Sequence, residues 1–145
     1  MELFINRMMK LDITGKGFII NGILHLTPSE AYALCHAGAY IIDVREDYMT
    51  GYKNFDVENL LHCPKSRLEE FTNSLPDDNL LIVADATGIH SRNVAELLTD
   101  SGMKNIANLA GGIVEWERDG LPLCTNQSEK LTGSCVCQLK PREKQ

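Results

Sequence analysis

The chain has 145 residues, 43% hydrophobic and 23% charged, with a net charge of −6, which is the size and balance of one globular domain able to build a core without metal or disulfide support. The acidic balance and the lack of a concentrated basic face argue against nucleic acid as the main partner. No apolar run approaches the roughly 20 residues of a membrane helix, and the start MELFINRMMKLD lacks the basic-then-apolar plan of a signal peptide, so a cytoplasmic chain without membrane contact is expected.

Taken in order, residues 1–22 form an N-terminal extension. Leu3, Phe4 and Ile5, then Leu11 and Ile13, then Phe18, Ile19 and Ile20 around Gly15-Lys16-Gly17 predict short strands about a turn, packed as a hairpin on the domain or covering a sheet edge or a dimer contact. Over 27–38, TPSEAYALCHAG, Thr27 is an N-cap, Pro28 occupies the first helical position, Glu30 completes a capping box and Gly38 stops the helix. Ala31, Leu34 and Cys35 share its inward face, which leaves His36 in solvent.

Tyr40 to Val44 predict the next strand, ending in Arg45 and Glu46. Within 47–64 the pattern is weak: a short apolar stretch at Leu60 and Leu61, then His62, Cys63 and Pro64. His62 and Cys63 are two potential ligands, and a metal site needs three or four. Arg67 to Phe71 predict a helix with Leu68, Phe71 and Leu75 inward and Pro76 at its end.

The stretch 79–101, NLLIVADATGIHSRNVAELLTDS, organises the chain. Leu80 to Ala84 are five consecutive apolar residues, the mark of a strand buried on both faces of a parallel sheet. Gly88 permits the turn that follows, Val94, Leu97, Leu98 and Ser101 recur at helical spacing, and Gly102 is the stop. A strand, a loop and a helix in that order place a ligand site beyond the strand's carboxyl end, where loop N–H groups and a helix N-terminus favour an anion. The loop residues Asp85, Ala86, Thr87, Gly88, Ile89, His90 and Ser91 are therefore the candidate site. Further on, Ile106 to Leu109 predict a strand, Gly111-Gly112 a turn and Ile113 to Asp119 a helix carrying Trp116. The alternation predicts an α/β fold, a mostly parallel sheet between two helical layers. Residues 124–145 read as a polar tail, which contains Cys135-Val136-Cys137. Five cysteines, an odd and scattered set, suggest reduced thiols.

Three segments, IIDVRE at 41–46, DATGIHS at 85–91 and NLAGGIVEW at 108–116, occur in the order of the corresponding motifs of rhodanese-like sulfurtransferases, and the chain resembles that family over most of 24–123. The resemblance implies a three-layer α/β/α domain over 23–123 with an active-site loop of the form Cys-x-x-Gly-x-Arg-Ser. Gly88 and Ser91 match that form, whereas Asp85 stands at the cysteine position and His90 at the arginine position. By the same resemblance, Asp43 and Arg45 help to fix the loop by ion pairing and hydrogen bonding; an exposed surface pair is the alternative.

Sulfur transfer needs a thiolate that can accept and release a sulfur atom, and Asp85 has none. Its carboxylate is expected to accept the loop N–H bonds itself and fill the cradle. An Asp85–His90 pair could act as a base with its orienting carboxylate, but Ser91 and Thr87 qualify as nucleophiles by type alone. The family's phosphatase relatives have a longer loop with arginine six positions after the cysteine, where this chain has Ser91 and reaches Arg92 one residue later. The two expectations are thus a binding or regulatory module without ordinary thiosulfate sulfurtransferase activity, and a sulfurtransferase or sulfur carrier using Cys135 and Cys137 as persulfide thiols. Extended chain from Pro122 to Cys135 spans roughly 40 Å, enough to reach the loop; an incidental thiol pair or part of a soft-metal site are the other readings of the tail. A sulfur donor or acceptor protein or a small anionic ligand is the expected partner, with no cofactor and no metal.

Overall fold

The computed structural model describes residues 15–76 and 78–125. Eight strands are present among them: β1 (Phe18–Ile20), β2 (Ile23–Leu26), β3 (Tyr40–Asp43), β4 (Lys53–Phe55), β5 (Leu60–His62), β6 (Leu81–Ala84), β7 (Ile106–Leu109) and β8 (Leu123–Thr125). The α-helices are α1 (Pro28–His36), α2 (Leu68–Thr72), α3 (Ile89–Asp100) and α4 (Gly112–Arg118), with 3₁₀ turns at Asp47–Met49 and Lys65–Arg67.

Six strands make one sheet in the order β1-β2-β7-β6-β3-β5, parallel throughout except for the antiparallel β1–β2 hairpin; β4 and β8 form a separate antiparallel pair. The period of two decides the layers. Leu80, Ile82 and Ala84 face one side, where they meet Ala31, Leu34 and Cys35 of α1 and Ile113 and Trp116 of α4. Leu81 and Val83 face the other, against Val94, Ala95 and Leu98 of α3 and Leu68 and Phe71 of α2. The expected rhodanese-like arrangement of helices on both faces of a mostly parallel sheet is the one found.

Helix α1 starts as its residues dictate, with Thr27 accepting from the Glu30 N–H and Glu30 accepting from the Thr27 N–H. In α3, Leu97 is exposed and Ser91 takes a buried place instead. Phe18–Ile20 pairs with β2 through a turn at Asn21-Gly22, while Leu3, Phe4, Ile5, Leu11 and Ile13 lie outside the described residues. Two strands escape the sequence pattern: β4 and β8 are three residues each, too short for a period, and exist because they pair with each other. Cys124, in β8, is disulfide-bonded where a reduced thiol was expected; Cys35 and Cys63 are free. An odd cysteine count does not forbid a single bridge. Among the described residues, no helix is long and apolar enough to cross a membrane.

Candidate functional site

β6 lies between β7 and β3, so the chain leaving it at Ala84 emerges in the middle of the sheet's carboxyl edge. Asp85 follows, 3% exposed. Its Oδ1 accepts the Gly88 N–H and its Oδ2 accepts the His90 N–H at 3.0 Å. Gly88, at φ +94°, makes this return of the chain, and α3 begins immediately after it without a side-chain cap of its own. Asp85 thus serves the helix from four residues upstream of Ile89. It satisfies an orphan N–H of the first turn and sets a negative charge at the positive end of the helix.

The main chain of the loop is held from the other side. Ile113 donates to the Asp85 carbonyl at 2.9 Å and Val114 to the Ala86 carbonyl at 3.1 Å. Gly112, at φ +62°, lets α4 come this close, since a Cβ there would lie 2.4 Å from the Ala86 oxygen and 2.5 Å from the Asp85 oxygen. Gly88 is pressed in the same way against Gly111.

Beneath the loop runs a buried polar chain. Ser91 Oγ lies 2.6 Å from Asn108 Oδ1 and 3.2 Å from Asp85 Oδ1. It carries one proton, and the shorter contact takes it. Asn108 Nδ2 donates to the Gly88 carbonyl at 3.3 Å and faces His25 Nδ1 at 3.2 Å. His25 is 4% exposed, its ring stacks on Phe18, and its Nε2 has no hydrogen-bond partner among the described residues. Burial, then Arg92, lower its pKa from the ordinary imidazole value, against an opposing pull from Glu96.

Asp43 and Arg45 form a buried ion pair. The guanidinium meets the carboxylate through Nη2 at 2.8 Å and Nε at 3.1 and 3.2 Å, and the Arg45 main-chain N–H adds a bond at 3.1 Å. Nη1 of Arg45 also donates to the Met49 carbonyl at 3.2 Å, and Nη2 to the Lys53 carbonyl at 2.9 Å and Asn54 Oδ1 at 3.4 Å. The pair therefore braces the 46–54 segment that faces the loop. Between that segment and the loop is a cleft of about 300 Å³, with Arg45, Glu46, Tyr48, Met49 and Lys65 on one side and Asp85, Ala86 and His90 on the other.

The sequence-predicted loop residues are thus together, but not all in the expected roles. His90 is exposed and meets Asp85 through its main-chain N–H, with no ring-to-carboxylate contact, so the base-pair reading of Asp85–His90 has no geometric support. Thr87 is exposed; Ser91 is buried and committed to Asn108. His62 Nδ1 lies 3.8 Å from Asp43 Oδ2 and Cys63 is buried, and among the described residues no cluster of three metal-ligating side chains exists. Cys135 and Cys137 lie outside the described residues. His25 and Asn108 were not singled out from the sequence, although each is a polar residue inside an apolar strand, and such a residue requires a buried partner.

Residues 27–119 match the family model of the rhodanese-like domain. The chain belongs to the rhodanese-like family. It is 30% identical over 100 residues to the thiosulfate sulfurtransferase GlpE of Haemophilus influenzae, an alignment that covers 69% of this chain and 93% of that protein. A rhodanese-related protein from Thermoplasma volcanium is similar in structure with a TM-score of 0.59 at 28% identity, covering 68% of this chain and 95% of the other. The polysulfide-sulfur transferase homodimer of Wolinella succinogenes gives a TM-score of 0.63 at 27% identity, over 72% and 80% of the two chains. The chain therefore shares its fold with proteins named as a thiosulfate sulfurtransferase and a polysulfide-sulfur transferase, and fold alone does not fix the chemistry of its own loop.

Proposed function

We propose that this rhodanese-like chain is a binding or regulatory module, with Asp85 standing where the family's sulfur-carrying cysteine would stand, and that it engages a protein or small ligand at the rim of the 85–91 loop without ordinary thiosulfate sulfur transfer. The carrying observation is the Asp85 carboxylate inside the loop. It takes the Gly88 and His90 N–H groups that an external anion or a persulfide would use. A carboxylate cannot accept and release a sulfur atom. The adjoining cleft of about 300 Å³, with Tyr48 and Met49 exposed at its lip, offers a partner both a recess and an apolar edge.

A second reading is a sulfur carrier loaded, in the reduced chain, on Cys135 or Cys137; it is supported by the poor suitability of the cysteines in the core. Burial pushes the Cys35 thiol up to about 12 and the Cys63 thiol up to about 11, the latter against the opposing pull of Arg67, and Cys124 is in a disulfide. Neither Cys35 nor Cys63 offers a ready thiolate at neutral pH.

The deciding experiment incubates the reduced protein with a persulfide donor, removes the donor, and takes an intact mass with peptide mapping. No added sulfur on any cysteine supports the module. One sulfur on Cys135 or Cys137 replaces it with the carrier. The variant Asp85→Cys adds a second measure: a gain of thiosulfate sulfurtransferase activity means that the cradle is still competent, while no gain implicates His90 at the arginine position or a changed loop shape.

A further inference from the structure

We propose that His25, acting through the Asn108 amide, is a positioning residue that holds the 85–91 loop in its observed form only while the imidazole is neutral with its proton on Nε2.

The assignment follows from one fixed point. The Gly88 carbonyl can only accept, so the Asn108 atom 3.3 Å from it is the amide nitrogen. That orientation turns Oδ1 toward Ser91, whose hydroxyl donates to it at 2.6 Å, and turns Nδ2 toward His25 Nδ1 at 3.2 Å. Nδ1 must then accept, and the ring proton sits on Nε2, the atom without a partner among the described residues. From β2 outward, the groups around the ring are Asn108 on β7, Phe18 on β1, and the charged pair Arg92 and Glu96 on α3.

Protonation of His25 puts a donor on Nδ1 opposite the Nδ2 donor. The amide relieves this by rotating end for end. Oδ1 then faces the imidazolium and the Gly88 carbonyl, two oxygens in repulsion, while Nδ2 faces Ser91 Oγ. The Ser91 proton is released from Asn108 and becomes available to Asp85 Oδ1, 3.2 Å away. The carbonyl of Gly88 loses its donor, and the loop must move at the position where the chain turns into α3. Burial and Arg92 both disfavour the charged ring, so this transition falls on the acid side of an ordinary histidine.

The test is NMR of the full chain between about pH 8 and about pH 5, following the ¹⁵N shifts of the imidazoles together with the Gly88, Ile89 and Ser91 amides. At the upper end His25 shows a protonated Nε2 and an unprotonated, hydrogen-bonded Nδ1. On acidification the three amides move with the midpoint of His25, below about 6.5. They still do so in His90→Gln, and they stay fixed in His25→Gln. A proton on Nδ1 at neutral pH overturns the inference without any variant. So do loop amides that follow the His90 midpoint and become still in His90→Gln, and so does a His25→Gln protein whose loop titrates as the native one does.

Discussion

The Asp85 main-chain oxygen accepts from the Ile113 N–H at 2.9 Å while the carboxylate of the same residue accepts from Gly88 and His90. One residue is thereby tied to two helices, α4 through its backbone and α3 through its side chain. The loop is thereby held from two sides around the Asp85 carboxylate.

Gly112→Ala should destabilise the protein by about 1–3 kcal/mol or more, because the added Cβ meets the Ala86 and Asp85 carbonyl oxygens and the residue is held at φ +62°. Gly102→Ala is the matched control. It has a positive φ of +107° but nothing within 4 Å of the new Cβ, so only the backbone strain of about 1–2 kcal/mol applies. Urea unfolding of both variants separates crowding from strain.

Asp43→Ala leaves a guanidinium that is 6% exposed without its carboxylate. Breaking such a pair costs about 3–5 kcal/mol, and the loss should be read as a fall in Tm. Arg45→Lys should also destabilise, since an ammonium cannot span the carboxylate and the Met49 and Lys53 carbonyls together. An unchanged Tm in Asp43→Ala would mean that the pair is dispensable to the 46–54 segment.

Asp85→Ala removes the acceptor for two loop N–H groups and the charge at the start of α3, at a cost of about 1–2 kcal/mol. It should also open the cradle. Titration with thiosulfate is expected to shift the Gly88 and His90 amides of this variant and to leave those of the native protein in place. Equal shifts in both proteins would show that the carboxylate is no barrier to an external anion.

Cys35 and Cys63 should resist iodoacetamide in the native state and react once urea exposes them, because a thiol held near 12 or 11 yields almost no thiolate at pH 8. The unfolded thiols titrate near their ordinary value of 9.0 and the folded ones higher, so the unfolded chain holds fewer protons above that point. This contribution to stability is whole below about pH 9 and is lost as pH rises toward about 11 and 12. Unfolding free energy that stays level up to pH 11 would contradict the assignment.

Much of this was legible in the order of residues. Five apolar residues at 80–84, a glycine three residues beyond Asp85 and a helical period after it placed a strand, a loop and a helix; Thr27, Pro28 and Glu30 placed α1 by its cap. Those signals are local, arising from backbone geometry and a period of two or 3.6, and a single stretch of chain contains them whole. The carboxylate that Asp85 brings to the loop is likewise a property of one residue.

What the tertiary structure decided is where that carboxylate's neighbours come from. Asn108 and His25 are separated by 83 positions and meet because β2 and β7 pair in register, His25 opposite Asn108. Gly112 presses on Asp85 only because β6 and β7 are adjacent and parallel, which brings the turn after β7 against the loop after β6. The strands β4 and β8 have no pattern of their own and exist as a pair. Hydrogen-bond partners across a sheet are set by register and packing, and neither is contained in the spacing of residues along one strand.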